Sequence, residues 1–197
     1  MSDDTNKLTA LTAIYTATRS DMSSIMNVSM ALLGAGAAYI AATLAFADKF
    51  GQDVSWIAVI LLPSPLWLVA AFHSLLLSIS MSHTVTARYA ERRLLTYAEV
   101  EPLDWHHIGL EAGDRIMNFK RSRWSHAVMD LIIYGGAAAL VVAYSIYMLV
   151  KAWPNQTTWA VIFGCVYLGA AVSVGFSWGH GFSQVEKSEK TLLSIRY

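Results

Sequence analysis

RYAERRLLTYAEVEPLDWHHIGLEAGDRIMNFKRSR, residues 88–123, is the one long polar segment of a 197-residue chain. It carries Arg88, Arg92, Arg93, Arg115, Lys120, Arg121 and Arg123, half of the 14 Lys and Arg residues. Two apolar runs precede it and two follow it. Four windows, Met22–Ala47, Val54–Ala87, Leu131–Val150 and Ala152–Val185, contain no Asp, Glu, Lys or Arg. Each is long enough for the ~20 residues with which a helix crosses a hydrocarbon core of about 30 Å. Backbone groups in lipid must be satisfied within the segment, so helices are the expected form. The runs lack the alternation of a membrane β-barrel.

Composition agrees. The chain is 55% hydrophobic and 14% charged, with a mean hydropathy of +0.44; a soluble domain carries about 25% charged residues. Net charge is zero, which excludes the basic excess that direct nucleic-acid binding needs. Cys165 is the single cysteine, so neither an intrachain disulfide nor a cysteine-cluster metal site is available. It reads as a small packing residue within an apolar run. The expected fold is an all-α integral membrane protein: a four-transmembrane-helix bundle forming one domain over residues 1–197. The spans lie at about 24–46, 56–78, 127–150 and 158–178, with a cytoplasmic segment at 84–125.

The loops set the expected topology. Lys7 and Arg19 precede the first span, the seven central residues lie between the second and third, and Lys187, Lys190 and Arg196 follow the fourth. The two short connections hold only Lys49 and Lys151. The richer side faces the cytoplasm. Both termini are therefore expected there, in a multi-pass protein of the plasma (inner) membrane.

Residues 1–21 do not read as a cleavable signal peptide, because they carry Asp3 and Asp4 and the following run is too long for an h-region. Leu44-Ala45-Phe46-Ala47 does resemble a small-residue cleavage site. Leu8, Leu11, Tyr15, Thr18, Met22 and Ile25 recur at helical spacing. They predict a helix that begins in the cytoplasm and runs into the first span, or one that lies flat on the membrane. Asp48–Asp53, with Gly51, predicts a tight outer turn. Pro63 and Pro65 each remove a backbone donor, so the second helix kinks or starts late there. Trp56 and Trp67 suit an interfacial belt or a helix contact. The helical pattern continues past Ser80 to about Val100, and Pro102 breaks it. Glu111–Ser125 and Phe182–Ile195 read as further cytoplasmic helices. Asn155-Gln156-Thr157 is formally a glycosylation acceptor, in a loop too short and too near the bilayer for use.

Small residues recur four apart: Gly34, Ala38 and Ala42 on the first span, Gly135, Ala139 and Ala143 on the third, and Gly169, Ser173 and Ser177 on the fourth. Such ridges let helices approach closely in lipid. They serve either packing within one copy or a contact between copies. His73 is the one ionisable residue deep in a span. It reads either as a neutral side chain bonded to a neighbouring helix or as a proton relay, a pore or gating residue, or a haem ligand. Ser173 and Ser177 are further pore or gating candidates. His83, His126, Asp130 and His180 fall at the cytoplasmic ends of the spans, with Asp21 nearby. Three His and a carboxylate form a plausible divalent-metal set or a polar ring at a conduit mouth, or simply collect where water begins. Lys120, Arg121, Arg123 and Trp124 suit anionic lipid headgroups or another anionic ligand. Asp104-Trp105-His106-His107 is the most unusual tetrapeptide. Adjacent His do not share a helix face, so a site there needs ligands from elsewhere.

No HExxH, Walker A, GxGxxG or nucleophile elbow is present, and no cofactor is implied. A non-enzymatic role is expected. The layout resembles that of small bacterial four-span proteins, among them membrane components of anti-phage systems; the resemblance is of architecture and assigns no residues. Three functions fit. The first is a homo-oligomer that forms or gates a pore, or perturbs the bilayer, in response to a cytoplasmic signal or a protein partner bound through 84–125. One copy of four spans encloses too little space for a conduit, so this reading needs several. The second is a non-catalytic accessory subunit of a larger membrane complex. The third is a metal- or haem-binding membrane enzyme.

Overall fold

The stripe that begins at Leu11 is a helix face. In the computed structural model Leu11, Tyr15, Thr18, Met22 and Ile25 turn inward while Leu8 stays exposed. They lie on α1, one unbroken helix over Ser2–Ala45. The structure describes residues 2–101, 108–110, 128, 132 and 135–194. Within these it is helical, without strands. The other α-helices of the described residues are α2 (Trp56–Leu61), α3 (Ser64–Tyr97), α4 (Gly136–Ala152) and α5 (Thr157–Ser194), with a short 3-10 turn at Ala47–Lys49. Three apolar helical stretches, Asp4–Ala45, Trp56–Tyr97 and Thr157–His180, are long enough to cross a membrane, and Gly136–Ala152 is a shorter apolar helix. The extensions of the first, second and fourth apolar runs continue those helices without interruption. The expected separate helix at 182–195 is instead the end of α5. The first part of the expected third span and the helix expected at 111–125 lie outside the described residues.

Packing divides the chain into two compact units. One draws on Met1–Asn27, Leu77–Leu131 and His180–Tyr197, the other on Val28–Leu76 and Ile132–Gly179. The second is apolar both inside and out. Its core holds Ile40, Val59, Leu66, Tyr144 and Met148, with Ile60, Ala152 and Ala160 beside them. Its surface holds Leu68, 73% exposed, and Phe176, 76% exposed. Contiguous exposure of this kind is expected where lipid or another helix replaces water.

A tight turn joins α1 to α2. The Lys49 carbonyl accepts the amides of Gln52, Asp53 and Val54 at 3.2, 3.1 and 3.3 Å. Gly51 sits at φ +82, and a Cβ there would run into the Trp56 indole. Only glycine meets both demands. Gly51→Ala is expected to destabilise the apolar unit by about 1–3 kcal/mol, combining left-handed strain and overpacking; equilibrium unfolding in mixed micelles measures it. Ser55 caps α2, its Oγ accepting the Ala58 amide at 3.3 Å, as N-cap serines do.

The proline pair divides the second span, as its missing donors require. α2 ends at Leu61 and α3 begins at Ser64. The Leu66 amide donates to the Pro63 carbonyl at 3.1 Å instead of to that of Leu62. The carbonyls left over are taken by phenols from other helices. Tyr39 donates to the Leu62 carbonyl at 2.9 Å, and Tyr167 to that of Ile60 at 2.6 Å. Inside an apolar slab a backbone carbonyl needs such a partner. Tyr167 also meets the Ser64 hydroxyl at 3.0 Å and stacks on Trp67, centroids 6.4 Å apart. Trp67 makes the helix contact, donating to Ser145 Oγ at 3.0 Å. Tyr144 donates to Thr43 Oγ1 at 2.6 Å.

Candidate functional site

The apolar unit contains a cavity of 430 Å³ bordered by α1, α3, α4 and α5. Its cause is compositional. Gly36, Ala37, Ala70, Ala138, Ala171 and Gly175 line it where a close-packed interior would place larger side chains. The space is partly open, with Ala37, Ala138 and Gly175 on its border exposed, so lipid or another apolar group can enter it. The space is therefore suited to being filled.

One ionisable side chain borders it. His73, on α3, is 5% exposed. Its Nδ1 lies 2.9 Å from Ser29 Oγ on α1, so the reading of a histidine bonded to a neighbouring helix holds. Its Nε2 is fully buried and has no hydrogen-bond partner among the described residues. The Ser29 hydroxyl has no other acceptor among the described residues. The arrangement with fewest orphaned protons has that hydroxyl donating to Nδ1, which leaves the ring hydrogen on Nε2. A neutral imidazole thus holds a donor with no acceptor, a state that buried polar groups rarely keep.

The other candidates are placed as follows. Ser173 is exposed, and its hydroxyl donates back to the Gly169 carbonyl at 2.8 Å. Ser177 is half-buried. Gly34, Ala38, Ala42, Ala139, Ala143 and Gly169 are all exposed, while Gly135 is half-buried at the N-cap of α4. A Cβ built on Gly34, Gly136 or Gly169 meets nothing within 4 Å. The exposed members of the ridges accordingly face away from the chain's own core. Cys165, expected to be a packing residue, is also exposed. His83 is half-buried, and His180 and Asp21 are exposed. Among the described residues no group of three His, Cys, Asp or Glu is arranged to hold a metal ion. His126, Asp130, Lys120, Arg121, Arg123, Trp124 and the tetrapeptide at 104–107 lie outside the described residues.

A second polar cluster escaped the sequence reading. Glu91, on α3, is buried. Its two carboxylate oxygens accept the Leu110 amide at 3.2 and 3.1 Å, and Tyr15 donates to it at 3.4 Å. Arg88 and Arg92, on the same stretch of α3, are buried too. Arg93 stacks over the Tyr89 ring, 5.6 Å from its centroid. Burial first, then the Glu91 charge, raises the Tyr15 phenol above its usual 10.0, although Arg19 pulls the other way. A phenol whose pKa rises on folding stabilises the fold fully below its unfolded value. That contribution is lost as pH climbs through the raised value. Unfolding followed from about pH 9 to 12 should show an alkaline loss of stability that Tyr15→Phe diminishes; an unchanged profile would assign that loss to other groups. The signal available in the sequence was the inward stripe that includes Tyr15, but nothing paired it with Glu91.

The chain matches no protein-family model, and neither the curated proteins nor the solved structures contain a significant match.

Proposed function

We propose that the chain is a homo-oligomeric, non-enzymatic protein of the plasma membrane. It forms or gates a pore, or perturbs the bilayer, in response to a signal received by the polar extensions of its helices. The observation that carries this reading is the outward direction of the small-residue ridges. Gly34, Ala38 and Ala42 on α1, Ala139 and Ala143 on α4, and Gly169 and Ser173 on α5 are exposed rather than packed against the chain's own helices. In lipid, close approach along small residues, with dispersion and weak Cα–H···O contacts, is what drives helices together. Helices that keep small ridges on their outer faces are suited to other helices. The basic asymmetry of the loops puts both termini in the cytoplasm, along with the extensions of α1, α3 and α5. The polar segment 84–125 is the surface offered to a cytoplasmic partner.

The test is the stoichiometry of the purified full-length chain, by native mass or single-particle imaging in mild detergent. A closed ring of identical subunits is expected. Gly34→Leu with Ala38→Leu should shift it to smaller species at least tenfold in the association constant. The exposed ridge imposes no folding cost of its own on these changes. A wild-type monomer would overturn the reading. A particle containing other chains would replace it with that of an accessory subunit.

A further inference from the structure

We infer that α1 is the helix through which copies of the chain meet, parallel and side by side, along one uncharged small-residue face that runs from Thr5 to Ala45. This rests on the homo-oligomeric reading and names the surface that such an assembly uses.

The face follows from the phase of the helix. α1 is unbroken over Ser2–Ala45, so successive residues step by about 100°. Thr9, Ala13, Thr16 and Ser20 fall on one side of it, and Asn27, Gly34, Ala38 and Ala45 continue the same side. All eight are exposed. From Thr5 onward, no residue within about 50° of the centre of this face is larger than asparagine, and none is charged. The large and the charged residues of α1 all lie elsewhere around the helix.

Length argues for what covers it. At 1.5 Å per residue the face is roughly 60 Å long, whereas a hydrocarbon core is about 30 Å thick. Lipid therefore accounts for half of it at most. In the polar unit, to which α1 contributes Met1–Asn27, the face is just as free of bulk and charge. Water sets no limit on size or charge, and a helix face turned to water ordinarily carries charged residues. A neighbouring helix sets both limits, because small residues are what allow close approach. That neighbour has to accompany α1 through both units. A second α1 has the required length and the same small face.

Charge selects the same partner. Arg19 and Asp21 are exposed, and neither forms an ion pair within its own chain among the described residues. Arg19 lies about 90° to one side of the face centre and Asp21 about 110° to the other, only ~3 Å apart along the axis. Parallel copies set around a common axis bring one edge of α1 against the opposite edge of the next. Arg19 of one copy then meets Asp21 of the neighbouring copy, as charges flanking a coiled-coil seam do. Asn27 lies on the face itself, where an amide can hydrogen-bond to the same residue of the next copy and fix the register.

The experiment uses the full-length chain in mild detergent. Cys165→Ser removes the single native thiol. Thr9→Cys and Ala38→Cys are introduced singly in that background and oxidised with copper phenanthroline. A disulfide needs Cα atoms within about 7 Å, so each should give a covalent dimer. Ile14→Cys, exposed on another side of α1, should not. Arg19→Asp or Asp21→Arg alone should weaken association about fivefold, since each replaces an exposed ion pair by a like-charge contact. The two together should restore association to within about twofold of wild type.

The outcomes separate this inference from the reading beneath it. A wild-type monomer would remove both. An oligomer that gives no cross-link at Thr9→Cys and Ala38→Cys would overturn the inference alone and leave the ridges of α4 and α5 as the seam. A cross-link at Ala38→Cys without one at Thr9→Cys would overturn the continuation of the face through the polar unit. Equal cross-linking at Ile14→Cys would show collision rather than a seam. A double charge exchange no better than the single changes would overturn the parallel, edge-to-edge arrangement.

Discussion

Replacing Tyr167 by phenylalanine is expected to destabilise the apolar unit by about 1–2 kcal/mol, and adding Tyr39→Phe to bring the total to about 2–4 kcal/mol. The reason lies in a proline pair on a different helix. Pro63 and Pro65 interrupt the second apolar run, and the Ile60 and Leu62 carbonyls accept phenolic hydrogens from Tyr167 and Tyr39 at 2.6 and 2.9 Å. Tyr→Phe removes the donor and keeps the ring, so the Trp67 stack and the apolar area survive. What remains is a carbonyl without a partner, the case in which losing a hydrogen bond costs most. The upper end of the range applies if the region is dry. Hydrogen bonds between membrane helices are often worth only about 0.6 kcal/mol, because the unfolded chain in lipid also finds partners. Titration with a denaturing detergent, followed by far-UV circular dichroism, measures the difference. A change below a few tenths of a kcal/mol would mean that water reaches the carbonyls and the proline break is hydrated.

This polar layer also shows where sequence reading stops. The break itself was legible, because proline's missing amide is a local property. So was the inward stripe of α1, because 3.6-residue periodicity is written along one segment. The unbroken extensions of α1 and α3 followed from the same pattern continuing past the apolar windows. The partners of the freed carbonyls were not legible. Tyr167 lies 107 residues from Ile60 and Tyr39 lies 23 from Leu62, and nothing local pairs a phenol with a distant carbonyl. Ridge direction was hidden for a related reason. Spacing of four shows that Gly34, Ala38 and Ala42 share a face, but not which neighbour that face meets. The cavity is the extreme case, since each helix contributes only a few small residues and the void exists only when their faces converge. His73 was conspicuous as an ionisable residue among apolar ones. Its bond to Ser29 and its free Nε2 required the packing of α1 against α3.

The largest single-residue effect is expected at Gly109. Its φ is +59, and a Cβ there would fall on the Glu91 carboxylate. Gly109→Val should cost about 2.5–5 kcal/mol, combining left-handed strain of ~1–2 with loss of a charge-assisted hydrogen bond of ~1.5–3. The loss follows because the carboxylate can no longer keep its contacts with the Leu110 amide, at 3.2 and 3.1 Å, once the valine occupies its place. Glu91→Ala removes the same hydrogen bond by another route. It also leaves the Leu110 amide and the Tyr15 hydroxyl to find other acceptors. The two substitutions therefore should not add. In a Glu91→Ala background the carboxylate is absent, so Gly109→Val should cost only the backbone term of about 1–2 kcal/mol. Hydrogen exchange at the Leu110 amide gives a local readout. It should speed up in either single variant and hardly further in the double. Strict additivity would show that residue 109 and the Glu91 carboxylate do not meet, and that the Leu110 hydrogen bonds to Glu91 do not depend on the space at residue 109.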